Sequence, residues 1–452
     1  MNIETTSKIK LKLMPTQIIL IGFLVLVLTG TLLLCLPISS ASGKWSDPLT
    51  ASFTAVSASC VTGLIMVDTA TYWSVFGQII ILTMIQIGGL GFMSFSLILS
   101  MLIKRRVTPR ESMIVAQSLG FESYGGFKNI AVRIVCGTFI FEALGAVALA
   151  TRFIPIFGFT KGVYFSIFHS ISSFCNAGFD LMGDYSGKFS SLTAFVNDPV
   201  INITVMLLVT IGGIGFIVWE EIISYRRSKG LSCYAKLVLV TSLLLVAGGA
   251  VFTFFSESSN PEFASVDNRI FASLFQSVST RTAGFNTVDL ATLSDKTKTA
   301  YSLLMSVGGS AGSTAGGIKT ATVALLIITA IQISRGKKKV TVFKRHVETH
   351  TIHAAISVLM IAVLVITIST FTVSFIENIN FTDALFECAS AFNTVGMTVG
   401  VSGSGHMVSR IILMALMFCG RVGILTVTYS ASLRRARKES AVTYPTGNII
   451  IG

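Results

Sequence analysis

Four times along this chain a segment rich in Ser, Thr and Phe ends on the same short signature. The four are Val61-Thr62-Gly63-Leu64, Asn176-Ala177-Gly178-Phe179, Thr282-Ala283-Gly284-Phe285 and Thr394-Val395-Gly396-Met397. Their glycines stand 115, 106 and 112 residues apart, about a quarter of the 452-residue chain each time. Recurrence at that period implies four unequal copies of one unit. Glycine permits a backbone turn that a Cβ would block. Four such turns facing a common axis present a ring of carbonyl oxygens, which can stand in for the water around a cation.

The surroundings of such a ring follow from composition. Charged residues make up 12% and hydrophobic residues 52% of the chain, against about 25% charged in a soluble domain. A polytopic membrane protein is implied. The net charge of +13 raises nucleic acid as a partner, but the distribution of charge argues against it. Of the 34 Lys and Arg, 23 fall in five clusters: Lys8 to Lys12, Lys104 to Arg133, Arg226 to Lys236, Arg335 to Arg345 and Arg434 to Lys438. Each lies in a tail or between two copies of the unit, where cytoplasmic loops carry their positive charge. The charge-free run from Leu13 to Gly43 is too long for the apolar part of a signal peptide and reads as a first spanning helix. Seven cysteines without CxxC spacing suggest neither a disulfide framework nor a metal site.

The expected fold is all-α: four helix–pore loop–helix repeats around a pseudo-four-fold central pore, over residues 1–115, 116–230, 231–345 and 346–452. Spanning and half-spanning helices are expected at 15–37, 50–60 and 74–103; at 130–153, 163–176 and 199–223; at 236–256, 268–281 and 300–333; and at 351–376, 382–393 and 408–433. That makes eight spans, with both termini cytoplasmic. A second motif keeps the same order. Gly88-Gly89-Leu90-Gly91, Gly212-Gly213-Ile214-Gly215, Gly308-Gly309-Ser310-Ala311 and Gly420-Arg421-Val422-Gly423 begin 25, 34, 24 and 24 residues after the preceding signature glycine. In lipid, small residues let helices approach closely, so tight packing against the pore helices explains the first two clusters. Ten residues before each signature glycine stands Phe53, Phe168, Leu274 or Phe386, a packing anchor. Ser57, Ser59, Ser172, Ser173, Ser279, Thr280 and Ser390 are positioned to bond within the pore helices or support the turns.

Together the four signatures resemble those of the Trk/Ktr/HKT superfamily of potassium transporters, over nearly the whole chain. Arg281-Thr282-Ala283-Gly284-Phe285-Asn286, Cys175-Asn176-Ala177-Gly178-Phe179 and Asn393-Thr394-Val395-Gly396-Met397 are similar to that family's second to fourth filters. The early first repeat and the ending Gly447-Asn448-Ile449-Ile450-Ile451-Gly452 resemble the eight-helix KtrB type. The resemblance implies a potassium filter formed by Val61, Thr62, Gly63, Asn176, Ala177, Gly178, Thr282, Ala283, Gly284, Thr394, Val395 and Gly396. In plant relatives a serine at the first of these glycines accompanies sodium preference, so Gly63 points to potassium.

Two anomalies gain a meaning from the resemblance. The stretch from Gly308 to Gly317 holds five glycines (Gly308, Gly309, Gly312, Gly316 and Gly317). Each costs a helix about 1 kcal/mol relative to alanine, and irregular backbone at membrane depth survives only beside a cavity or buried in protein. A nucleotide-binding Walker motif fails because Ile318 separates Gly317 from Lys319. The resemblance implies a gating loop below the filter, the alternative being a passive kink; Lys319 marks its far edge. Arg421 stands where Gly89 and Gly213 stand in the first two units. Burying it at mid-helix costs at least about 2.5 kcal/mol, so it faces either a carboxylate such as Glu387 or, as the resemblance implies, the gating loop.

Asp68, Asp180, Asp184 and Asp289 follow their glycines closely and offer an acidic outer vestibule that would concentrate cations; the alternative is an ordinary solvated loop. His350 and His353 read as interfacial residues. Glu142 and Glu387 do not make a proton relay, and no nucleophile–base pair suggests an enzyme. The alternative function is an ion-coupled (Na+ or H+) secondary cation transporter. Potassium would be the transported ion, without an organic cofactor. By resemblance the chain is a homodimer in a bacterial cell membrane, docked on a cytoplasmic nucleotide-binding RCK ring of KtrA-like subunits, with the lipid bilayer and no nucleic acid as its other surroundings.

Overall fold

The computed structural model describes residues 15–91, 127–228, 230–263 and 266–423. Lys8, Lys10, Lys12, the basic residues from Lys104 to Arg110, the tail from Arg434 to Lys438 and the closing Gly447–Gly452 lie outside the described residues.

The chain is helical, in a pattern that recurs four times. Helices α1 (Pro15–Cys35), α2 (Pro48–Cys60) and α3 (Val75–Leu90) come first. Then follow α4 (Phe127–Phe157), α5 (Phe159–Phe174), α6 (Pro199–Ile214) and α7 (Phe216–Ser228). The third set is α8 (Cys233–Ser256), α9 (Val266–Ser279), α10 (Asp295–Met305) and α11 (Thr320–Ser334). A small hairpin of β1 (Thr341–Val342) and β2 (Arg345–His346) leads to α12 (Thr349–Glu377), α13 (Phe381–Phe392) and α14 (Met407–Val422). Many starts are legible as caps: Asp47, Ser74, Asp198, Ser232 and Ser294 each accept a bond from a first-turn N–H, which is worth roughly 1 kcal/mol apiece.

Among the described residues, four helices are long and apolar enough to cross a membrane: Gln17–Cys35, Val132–Phe157, Cys233–Ser256 and Thr349–Glu377, or five if the bent pair Pro199–Ile214 and Phe216–Tyr225 counts as one span. Their outer faces leave Leu28, Leu32, Leu144, Leu243 and Phe375 exposed, a surface that hydrocarbon covers and water would not tolerate. Inside them the short helices α2, α5, α9 and α13 are packed among the others, each against the helix preceding it.

The later helix of the first, second and fourth sets stops at a glycine inside its apolar run, and the expected helical stretches 92–103 and 424–433 lie outside the described residues. α3, α6 and α14 end at Gly91, Gly215 and Gly423, whose φ values are 82°, 100° and 91°. The expected continuous helix at 199–223 is instead bent by 96° between α6 and α7. At that break the Phe216 N–H leaves the helical ladder and donates to Gly312 O at 2.7 Å. In the third set the chain is non-helical from the end of α10 to Thr320, as the five glycines imply.

One anchor is also corrected. Phe53, Phe168 and Phe386 are fully buried, but Leu274 is 37% exposed and its neighbour Phe275 is buried instead. The third segment is one residue shorter between anchor and glycine, so counting back ten residues misses it by one.

Candidate functional site

Each of the short helices ends in the same unusual backbone. The second residue before the glycine has a left-handed φ: Val61 58°, Asn176 59°, Thr282 71° and Thr394 52°. The glycines follow at φ 95°, 68°, 81° and 95°, a region that L side chains avoid. This explains why glycine recurs while the residues before it vary.

The four glycines also meet. A Cβ built on Gly63 would stand 2.5 Å from Ala177 O, one on Gly178 2.8 Å from Ala283 O, and one on Gly284 2.6 Å from Val395 O. A Cβ on Gly396 would strike Thr62 O and close the circuit. Each glycine thus abuts the carbonyl before the next glycine, in chain order, around a ring. Side chains are excluded from every join, which leaves backbone to line the axis.

Hydroxyls brace the turns. Gly63 N donates to Ser57 Oγ and Gly396 N to Ser390 Oγ, both at 3.1 Å. Ser172 Oγ donates to Phe179 O at 2.7 Å, and Ser279 Oγ to Phe285 O. Of the other expected hydroxyls, Thr280 Oγ1, just past the end of α9, bonds back to Ser277 O, while Ser59 and Ser173 Oγ are buried without a partner. The glycine clusters pack against the short helices from behind. A Cβ on Gly88, Gly212 or Gly420 would meet the terminal carbonyls of Ser59, Phe174 or Phe392.

On the side reached after the glycines lies a cavity of about 550 Å³ lined by Ile65, Met66, Asn286, Asp289, Gly396 and Thr398 among others. Of the expected acidic residues, Asp289 lines it. Asp68 does not: it is buried, caps the turn at Thr71 and accepts from Phe189 N at 3.1 Å. Asp180 accepts from Met182 N, and Asp184 pairs loosely with Lys161 at 3.7 Å.

On the opposite side, at the feet of the segments, the Gly308–Gly317 loop binds the second and fourth sets of helices and is tied to the first through Arg421. Ser310 N donates to Gly213 O, Thr314 N to Gly212 O, and Thr314 Oγ1 to Phe174 O. Gly317 N donates to Gly420 O and Ile318 N to Asn393 Oδ1, each at 3.2 Å. Arg421 donates to Thr314 O on the loop and to Gly88 O and Gly89 O of the first cluster. Lys319 Nζ donates to Ala315 O at 2.9 Å.

Glu387 is not the partner of Arg421. Its buried carboxylate accepts from Thr398 Oγ1, Val399 N and Val401 N, and so holds the chain that follows the fourth glycine. Glu142 accepts from Gln86 Nε2 at 2.9 Å, close to Cys175. Neither role was legible in the sequence, because both depend on partners that folding brings near.

An apolar exterior around a ring of backbone turns, with a bonded loop on one face, defines a polytopic helical membrane protein built about an axis. A family model described as "TrkH: Cation transport protein" matches residues 4–440. The chain is 36% identical over 452 residues to the potassium/sodium uptake protein NtpJ of Enterococcus hirae, covering 99% of both. It is 36% identical to the Ktr system potassium uptake protein B of Bacillus subtilis, covering 97% of both, and 35% identical to that of Vibrio alginolyticus, covering 96% of this chain and 94% of the relative. The crystal structure of the potassium transporter TrkH from Vibrio parahaemolyticus shares the fold at a TM-score of 0.71, with 18% identity over 94% of this chain and 86% of that one. The chain belongs to the TrkH family of cation transport proteins, and is similar throughout to the Ktr system B subunits.

Proposed function

We propose that this protein takes up potassium through a path selected by the ring at Gly63, Gly178, Gly284 and Gly396. The observation that carries the reading is the circuit of those glycines, each against the carbonyl that precedes the next. Carbonyls fixed around an axis replace the hydration shell of a dehydrated cation. The printed names of the full-length relatives, potassium uptake proteins in two cases and a potassium/sodium uptake protein in the third, support the choice of ion.

In this reading the filter comprises the three residues ending on each glycine, within units 1–115, 116–230, 231–345 and 346–452. The cavity beside Asp289 is the outer vestibule, so the basic clusters and both termini are cytoplasmic. Asp180 and Asp68 shape the vestibule wall from behind. The Gly308–Gly317 loop and Arg421 form the gate, since they close the opposite side by hydrogen bonds that a different loop position would break. The name "Ktr system" borne by two relatives supports a separate partner subunit; in this reading it is a cytoplasmic nucleotide-binding ring that docks on a homodimer, and Lys337, Lys338, Lys339, Lys344 and Arg345, all exposed, offer one docking surface.

Sodium-coupled transport is the second reading, favoured by the potassium/sodium uptake name of the Enterococcus hirae relative. Rubidium uptake by cells lacking their own potassium uptake tests the proposal. Wild-type protein should restore uptake without added sodium, and Gly284→Ser should lose preference over sodium. A strict sodium requirement would favour the coupled reading.

A further inference from the structure

The residue that precedes each left-handed turn occupies the foot of its segment. In the first two units it is a thiol, Cys60 or Cys175; in the third and fourth it is Arg281 or Asn393. Both exceptions reach the same place, the neck where the Gly308–Gly317 loop begins and ends. That neck is cross-bonded: Gly308 N donates to Ile318 O at 2.8 Å and Thr320 N to Gly309 O at 3.1 Å. Thr320 Oγ1 adds a bond to Gly308 O at 2.6 Å.

Arg281 Nη2 donates to that same Thr320 Oγ1 at 3.2 Å. The hydroxyl has one proton to give and accepts with its lone pairs, so it is the joint through which the third foot holds the neck. Asn393 holds it from the fourth foot through Ile318 N. Arginine at membrane depth costs at least about 2.5 kcal/mol, and Arg281 sits among the described residues without a carboxylate partner. Its Nε is sealed from solvent with no acceptor. A residue kept at such cost, at the one foot beside Thr320, acts on that joint.

We propose that Arg281 is a positioning residue that latches the neck of the loop to the foot of the third filter segment, through Thr320. The proposal rests on the loop being a gate. Loop movement must then break the Arg281–Thr320 bond, and Arg281 weighs on the gate while leaving the ring's carbonyls to choose the ion.

The test is rubidium flux into liposomes containing the full-length protein alone, comparing wild type, Arg281→Gln, Arg281→Lys, Thr320→Val, the Arg281→Gln/Thr320→Val pair, and Arg421→Ala. Loss of the hydrogen bond from the charged Arg281 predicts a rise of at least about tenfold in basal flux for either single variant, and Thr320→Val, which also loses its bond to Gly308 O, should be the larger. The pair should rise no further than the larger single, because both remove one joint. Arg281→Lys should return flux towards wild type, and the potassium-to-sodium ratio should not move. Should Arg281→Gln fail to fold, Arg281→Met, which leaves the Thr320–Gly308 bond in place, carries the same prediction. Multiplying effects in the pair, or unchanged flux in both singles while Arg421→Ala rises, would overturn the latch and leave the gate standing. Unchanged flux in Arg421→Ala as well would remove both.

Discussion

Arg421 and Thr314 lie far apart in the chain, yet the guanidinium of one donates to the carbonyl of the other. From the same side chain, bonds to Gly88 O and Gly89 O reach the first glycine cluster. One arginine therefore binds the fourth set of helices, the loop of the third and the cluster of the first. The isolated positive charge that looked anomalous in the sequence is accounted for by carbonyl acceptors.

Arg421→Ala should raise ion flux in the absence of any partner. Hydrogen bonds to charged groups contribute roughly 1.5–3 kcal/mol each, so losing even one shifts a closed–open equilibrium by about tenfold. Single-protein flux in liposomes measures this directly. Flux equal to wild type would mean that the bonds of Arg421 do not hold a closed gate.

Gly396→Ser should degrade selectivity more than folding. The position has φ 95°, and a Cβ there strikes Thr62 O, so the backbone must shift locally. Such strain costs of order 1–3 kcal/mol, small enough for the helices to survive. Competition of sodium against rubidium uptake reads the selectivity, and a melting curve reads the fold. Retained selectivity would separate the ring from ion choice.

How much of this could be read beforehand varies by element. The period of the signature glycines and the broken stretch at 308–317 were legible, because glycine at a positive φ leaves a trace in sequence. The ends of α3, α6 and α14 were not. Gly91, Gly215 and Gly423 sit in apolar runs, and one glycine costs a helix only about 1 kcal/mol. What breaks the second of those helices is Gly312 O, supplied by a loop about a hundred residues later. Asp68 misled for a related reason: its offset from Gly63 matches that of Asp289 from Gly284, but its backbone partners turn it into a buried cap. The packing anchor at Phe275 was missed because counting assumes equal segment lengths.

Glu387→Ala should weaken the fourth segment. Thr398 and the Val399 and Val401 amides would lose their acceptor in a buried site, at about 1–3 kcal/mol for each orphaned donor. A lowered melting temperature together with reduced potassium preference is expected. An unchanged melting temperature would count against the role of Glu387 as a brace.

Acid should loosen the connection between α8 and α10. Burial pushes Glu257 up, but hydrogen bonds from Ser294, Thr297 and Asn260 outweigh it and hold the carboxyl below its ordinary value of 4.5. A depressed folded-state pKa stabilises the protein above the unfolded value and is lost as pH falls through the folded one. Stability should therefore be flat from neutrality to about pH 5 and decline below about pH 4.5. Glu257→Gln should lower stability at neutral pH and flatten that acid limb. A limb of unchanged steepness in the variant would place its cause in another carboxylate.

The central claim is that the ring of Gly63, Gly178, Gly284 and Gly396 conducts and selects potassium. Its most direct test is cation flux into liposomes holding the purified protein alone, under matched gradients of potassium, rubidium, sodium and lithium. The account predicts flux of potassium and rubidium well above sodium and lithium, with no proton gradient applied. Sodium flux equal to potassium, or flux that appears only with a proton or sodium gradient, would contradict it.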